Sequence, residues 1–212
     1  MKYKCIIFDC DGVLVDSEEI SIKVLTEMVN SLGKKIDLEY AVENLSGKSL
    51  KSVFEFIENL IGGKLPDHFE KEFRRQSFES FKTDLKPVDG IHDLLDKLSV
   101  PYCVASSGPI EKIRLNLTVT NLIGRFEDRI YSSYDIGSWK PNPEIFEYAA
   151  AQMGFKPREC AVIEDSLAGI RAAKKGGFDV FGFAKPKNKL DFEKEGAVTF
   201  FEMGKLYELL IE

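Results

Sequence analysis

The chain has 212 residues, of which 29 are lysine or arginine and 35 are aspartate or glutamate, giving a formal net charge of −6. This acidic balance, without a basic arm or stripe, makes nucleic acid and anionic membranes poor partners. No apolar run approaches the roughly 18 residues of a membrane span, and no secretory pattern precedes the first predicted strand, so we expect a soluble cytoplasmic protein.

The first element in chain order is an apolar run at 4–8, K-C-I-I-F, which is β-branched and aromatic enough to form a buried strand. Asp9 and Asp11 follow it two residues apart, and strand alternation would put both carboxylates on one side. Gly12 then allows the backbone to turn sharply. A strand that ends in an acidic turn is the ordinary alternative, and the other strand ends must decide.

The segment 17–85 has helical periodicity and no strand pattern. Its first helix is predicted to start with Asp16 as N-cap and to stop at Gly33. Three further helices are predicted over 38–45, 49–61 and 66–81. This segment is therefore predicted to be an all-helical cap, inserted after the first strand of another domain.

From residue 86 onward, strand patterns alternate with helical ones. This alternation predicts a parallel sheet covered on both faces, because parallel neighbours need crossover connections. We therefore predict an α/β, Rossmann-like three-layer core made of 1–16 and 86–212, with sites at the carboxyl ends of its strands. The predicted strands cover 102–105, 129–132, 160–163 and 180–183, and the predicted helices cover 91–98, 109–117, 143–153, 166–175 and 203–210.

Polar side chains follow three of these strands. Ser106 and Ser107 precede a helix start that gathers N–H donors suited to an anion, although S-S-G-P is also an ordinary turn. Lys140 stands in a loop stiffened by prolines, although surface lysines are common. Glu164 and Asp165 end another strand, where they could serve only as favourable charges at a helix N-terminus.

The set as a whole indicates a metal-assisted site. Four carboxylates at one sheet edge would repel one another and be driven toward protonation unless a cation compensated them. Mg²⁺ prefers hard oxygen ligands and often shares its shell with water and phosphate. Together with one lysine and a hydroxyl or amide cradle, this donor set suits phosphoryl transfer.

Four segments of the chain resemble the four motifs of the haloacid dehalogenase-like superfamily, in order and in spacing. They are D-C-D-G-V-L-V-D-S at 9–17, V-A-S-S-G at 104–108, W-K-P-N-P at 139–143 and I-E-D-S-L-A-G-I-R-A-A at 163–173. The helical insert resembles the cap of the branch that includes β-phosphoglucomutase, phosphoglycolate phosphatase and 6-phosphogluconate phosphatase-type members. This resemblance implies a Mg²⁺-dependent phosphatase that hydrolyses a small phosphorylated metabolite and works as a monomer.

The resemblance also assigns roles at the first and last motifs. Asp9 would be the nucleophile that forms an aspartyl-phosphate, and its carboxylate would bind Mg²⁺. Asp11 would be the acid on the leaving oxygen and then the base for water, with its main-chain carbonyl on the metal. Asp165 would complete the protein's metal ligands, and Glu164 would be either a direct ligand or an acceptor from bound water.

The remaining motifs would bind the phosphoryl group and the rest of the substrate. Ser106 and the amide of Ser107 would hold the transferring phosphoryl group, and Lys140 would pair with Asp9 and a phosphoryl oxygen. Lys48 lies in a segment that resembles the cap loop of the family, so it would contact a substrate carboxylate or second anionic group; a solvated lysine at a helix start is the alternative.

Three other functions fit the sequence less well than a phosphatase does. A phosphomutase of the β-phosphoglucomutase type is the main alternative, but mutases of this branch carry a histidine where this chain has Ser21. A dehalogenase is disfavoured because the dehalogenases of the family lack the second aspartate, here Asp11. A non-catalytic sugar-phosphate-binding regulator would be expected to have lost Asp9, Asp11 or Lys140, and all three are present.

Overall fold

The computed structural model describes residues 1–46, 48 and 50–211. The chain divides into two compact units, which we describe separately. The α/β unit comprises Met1–Asp16 and Lys86–Glu212, and the helical unit comprises Ser17–Leu85. The predicted fold class, a parallel α/β sheet with an inserted all-helical segment, is confirmed.

The α/β unit is built on one parallel sheet of six strands, in the order β3-β2-β1-β4-β5-β6. The first strand therefore lies in the middle, where Phe8 pairs with Val104 on one side and with Ile163 on the other. Because all strands run in one direction, their carboxyl ends meet at one edge. The strands are β1 Cys5–Phe8, β2 Tyr102–Ser106, β3 Ile130–Ser132, β4 Cys160–Glu164, β5 Asp179–Phe183 and β6 Val198–Phe200.

The helical unit contains α1 Glu18–Ser31, α2 Leu38–Leu45, α3 Leu50–Ile61 and α4 Phe69–Asp84. Their apolar faces form a core of their own. The prediction that Asp16 caps α1 was wrong, since Ser17 occupies the N-cap position. The main-chain N–H of Asp16 donates instead to the carbonyl of Lys86 at 3.0 Å. The predicted first residue of α3, Ser49, lies outside the described residues.

The remaining helices cover the sheet of the α/β unit. Its buried core includes three of the four cysteines, and all four are free and buried. Strand β6 and helix α11 were not predicted, because three and six residues are too few to show a period. The helices are α5 Ile91–Lys97, α6 Ile110–Val119, α7 Ile123–Phe126, α8 Ser133–Ile136, α9 Glu144–Gln152, α10 Leu167–Lys175, α11 Lys189–Lys194 and α12 Met203–Ile211, with a 3-10 turn at Pro157–Glu159.

Two chain segments of the α/β unit lead to and from the helical unit, and they pair with each other. Val15 forms an antiparallel bridge with Pro87, and the N–H of Val88 donates to the carbonyl of Leu14 at 3.0 Å. Across the described part of the chain, no helix has the length and apolar character needed to cross a bilayer.

Candidate active site

A buried lysine and two carboxylates meet at the carboxyl edge of the sheet. Asp9 directly follows β1, and its N–H donates to the carbonyl of Ile163 at 3.0 Å, which continues the pairing with β4. The Nζ of Lys140 donates to Oδ1 of Asp9 at 2.7 Å and to Oε1 of Glu164 at 2.6 Å. The Lys140 side chain is only 6% exposed. Lys140 therefore links the end of β1 to the end of β4 through two hydrogen bonds.

Glu164 is fully buried, and partners occupy both oxygens of its carboxylate. Its Oε2 accepts hydrogen bonds from the N–H and the hydroxyl of Ser166, at 2.8 and 2.9 Å. Its Oε1 accepts from Lys140. On the side of α10, a Cβ placed at Gly169 would lie 1.8 Å from Oε1, so only glycine leaves room for this carboxylate.

Burial and neighbouring charges act in opposite directions on the pKa values of Asp9 and Lys140. Burial raises the pKa of Asp9, Lys140 opposes the rise, and repulsion from Glu164 and Asp11 adds to it, so that the pKa lies at about 7. Burial alone would lower the pKa of Lys140, but the attraction of Asp9 and Glu164 outweighs burial and holds that pKa above its usual value. Lys140 therefore remains a cation throughout the physiological range.

Three carboxylates form the group that could hold a metal ion. The ligand oxygens of Asp9, Glu164 and Asp165 lie within 4.8 Å of one another. Gly12 permits this approach, because a Cβ there would lie 1.9 Å from Oδ2 of Asp165, and its φ of +78° also favours glycine. The set offers only hard oxygen donors and has excess negative charge, which fits Mg²⁺.

The carboxylate of Asp11 is bound by a different part of the fold. Its Oδ2 accepts from Lys112 Nζ at 2.5 Å, and its Oδ1 accepts from Asn116 Nδ2 at 3.2 Å. Both partners are on α6, one turn apart. The side chain of Asp11 is not among the three that form the acidic group. The family resemblance implies that the main-chain carbonyl of Asp11, and not its side chain, binds the metal. This role remains a prediction.

The predicted phosphoryl cradle lies at the end of β2. Ser106 is 2% exposed, and its Oγ accepts from the N–H of Gly108 at 3.1 Å. The carbonyl of Gly108 in turn accepts from the Ser132 hydroxyl at 2.7 Å. Ser107 is half-buried beside them. These bonds give the loop between β2 and α6 a defined conformation next to the end of β1.

Lys48, the predicted substrate contact, belongs to the helical unit. It is exposed, and its Nζ lies 5.0 Å from the ring centroid of Phe56. Its neighbours Gly47 and Ser49 lie outside the described residues. Its predicted contact with the substrate therefore stays a prediction.

Lys112, Asn116 and Gly169 were not among the predicted site residues. One signal was present for Asn116, because it shares the buried face of α6 with Ile113 and Leu117, and a polar residue on an apolar helix face requires a partner. The sequence analysis also gave no role to Cys10. Burial raises the pKa of its thiol well above the usual value, so it remains a neutral packing group.

Comparisons with known proteins identify the family of this chain. A family model described as haloacid dehalogenase-like hydrolase matches residues 3–177. The 6-phosphogluconate phosphatase of Escherichia coli is 31% identical over 98% of this chain and 95% of its own. The phosphorylated carbohydrates phosphatase of Thermotoga maritima is 26% identical over 87% of each chain.

Solved structures give the same picture. A conserved haloacid dehalogenase-like protein from Agrobacterium tumefaciens has a TM-score of 0.88 and 31% identity, over 99% of this chain and 98% of its own. A hydrolase from Deinococcus radiodurans, solved with bound phosphate and sodium, has a TM-score of 0.81 and 25% identity, over 97% of this chain and 93% of its own.

Proposed function

Because this chain belongs to the haloacid dehalogenase-like hydrolase family, we propose that it is a Mg²⁺-dependent phosphatase that works through an aspartyl-phosphate on Asp9. Its activity as a phosphatase on phosphorylated metabolites follows from the matched family and the named phosphatase relatives. The proposed substrate is a sugar phosphate or a phosphorylated sugar acid such as 6-phosphogluconate. The Escherichia coli relative, which is similar along almost its whole length, supports the second of these.

The observation that carries this proposal is the contact of Lys140 with both Asp9 and Glu164 at the strand edge. A nucleophilic carboxylate must be held still and must be able to ionise, and a buried lysine 2.7 Å from it fixes its position and opposes the rise in its pKa that burial causes. The lysine also offers positive charge to the oxygens of an incoming phosphoryl group. Asp9, Asp165, the carbonyl of Asp11 and, directly or through water, Glu164 would hold Mg²⁺, which when bound would neutralise phosphoryl charge.

In the first step, Oδ of Asp9 forms a bond to phosphorus while the bond from phosphorus to the ester oxygen breaks. Asp11 donates a proton to that departing oxygen. In the second step, Asp11 takes a proton from water, which attacks phosphorus and releases phosphate from Asp9. Ser106 and the N–H of Ser107 hold the phosphoryl group during both steps.

The test is phosphate release from a panel of phosphorylated sugars, sugar acids, phosphoglycolate and nucleotides. Release should require added Mg²⁺, stop with a chelator, and fall at least about a thousandfold in Asp9→Asn. Asp96→Asn is the control, since Asp96 is an aspartate that pairs with Arg125 instead. Full activity of Asp9→Asn would remove Asp9 from the nucleophilic role. Product analysis on glucose phosphates separates hydrolysis, which gives free phosphate, from mutase activity, which gives an isomer.

Lys48 is proposed to bind a carboxylate or second anionic group of the substrate. If so, Lys48→Ala should raise the KM for 6-phosphogluconate more than the KM for a sugar phosphate without a carboxylate. An unchanged KM for every accepted substrate would contradict the role. The enzyme is further proposed to be cytoplasmic, which its free, buried cysteines support, and to have no nucleic-acid or membrane partners, which its acidic net charge supports. The proposal that it works as a monomer rests on the family resemblance alone.

A further inference from the structure

Helix α6 binds both oxygens of the Asp11 carboxylate. Lys112 donates to Oδ2 at 2.5 Å and Asn116 donates to Oδ1 at 3.2 Å. A single hydrogen bond would leave a carboxylate free to rotate, whereas two donors on different oxygens fix the plane of the group. The Asp11 side chain keeps 31% of its surface exposed, so it remains accessible to a substrate.

The two donors are themselves held in place. Asn116 is fully buried on the same face as Ile113 and Leu117. Among the described residues, the side-chain oxygen of Asn116 has no hydrogen-bond partner. Burying an amide in this way is unfavourable, and its bond to Asp11 offsets part of that penalty. Lys112 is 24% exposed and lies one turn earlier on the same rigid helix.

The direction of this contact matters for the chemistry. The acidic group consists of Asp9, Glu164 and Asp165, while the side chain of Asp11 is bound to α6. A carboxylate held at α6 is kept away from the metal group. It can then meet the ester oxygen that leaves from the far side of phosphorus from Asp9, since attacking and leaving oxygens are roughly in line.

We propose that Lys112 and Asn116 are positioning residues that orient the Asp11 carboxylate toward the leaving oxygen. The inference rests on the proposed function, because it assumes that Asp11 acts as the acid there. Misplacing a catalytic group by about 1 Å can cost about a hundredfold in rate. In the first step, the loss should appear only when the leaving group needs a proton.

The test compares two substrates of each variant. One is the alkyl phosphate that the wild-type protein hydrolyses fastest, and the other is p-nitrophenyl phosphate, whose leaving group departs without an acid. The quantity compared is kcat/KM, because it reports only the steps up to departure of the leaving group and not the later hydrolysis of the aspartyl-phosphate, in which Asp11 acts as base for both substrates. Lys112→Met and Asn116→Leu should lower kcat/KM on the alkyl phosphate by about ten- to a hundredfold and on p-nitrophenyl phosphate by less than about threefold. Lys112→Arg should restore most of the difference.

Two further variants make the result decisive. Arg114→Met removes an exposed cation of the same helix and should leave both rates within about twofold. Asp11→Asn sets the scale, with a selective loss on the alkyl phosphate of about 10²–10⁴-fold. The inference is wrong if Asp11→Asn shows this selectivity and Lys112→Met does not. It is also wrong if Lys112→Met lowers the rates on both substrates equally, or raises the rate on the alkyl phosphate. If Asp11→Asn shows no selectivity, the proposed acid role itself is wrong.

Discussion

Replacing Glu164 by glutamine should destabilise the protein far more than the same change at an exposed ion pair. The substitution keeps the shape of the side chain but removes its charge. The amide oxygen can still accept from Ser166, which places the amide NH₂ group against Lys140 Nζ, where the structure has a hydrogen bond of 2.6 Å. Two donors then face each other in a position with no exposed surface.

The magnitude follows from what Lys140 retains. Removing one partner of a buried ion pair costs about 3–5 kcal/mol. Lys140 keeps Asp9 at 2.7 Å, and the change also relieves the repulsion between Glu164 and Asp9 that raises the pKa of Asp9. We therefore expect a loss of about 2–3 kcal/mol. In a protein of this size, that loss lowers Tm by about 4–12 °C.

The assay is calorimetric unfolding at pH 8 in a chelator, so that no metal contributes. The control is Glu208→Gln, whose partner Lys205 is 2.9 Å away but 65% exposed, and which should cost less than about 1 kcal/mol. Circular dichroism should show that both variants keep the wild-type secondary structure. Equal shifts in Tm for the two variants would refute the argument that burial gives the Lys140 contact its strength.

Two more predictions concern the same carboxylates. Gly169→Ala should lower stability by about 2–3 kcal/mol, because the added Cβ would lie 1.8 Å from Oε1 of Glu164. The control is Gly204→Ala in α12, where an added Cβ meets nothing within 4 Å and stability should rise by up to about 1 kcal/mol. Similar Tm values for the two variants would contradict this prediction. Mg²⁺ at the proposed site would require ionised Asp9, whose pKa is raised to about 7, so protons should compete increasingly as the pH falls. The affinity measured by titration calorimetry should drop about tenfold from pH 8 to pH 6, with proton release at pH 6; a constant affinity would exclude the competition.

The strand ends were accessible from the sequence because each strand signal is local. The run before Asp9 and the run before Glu164 are both apolar, rich in β-branched residues and followed at once by acids, so their placement at one edge follows from parallel topology alone. The proline-stiffened loop indicated a fixed Lys140, but the pairing of Lys140 with Asp9 rested on the family resemblance, since the loop shows no period that would place its side chain inward.

The contacts of α6 with Asp11 could not be read from the sequence. Helical spacing predicts that Lys112 and Asn116 share a face, but which strand end that face meets depends on how α6 packs against the sheet. The error at the start of α1 has a different origin. Asp16 has the chemistry of an N-cap, yet its N–H is taken by the carbonyl of Lys86, so the helix begins one residue later.

The pairing of Val15 with Pro87, and of Asp16 with Lys86, has a topological consequence for the α/β unit. The chain leaves this unit and returns to it at adjacent positions, as it does in a β-hairpin. For the sheet, the segment 17–85 therefore stands in the place of a hairpin loop. Because this segment folds around a core of its own, the α/β unit constrains where the segment begins and ends but not how many residues it contains.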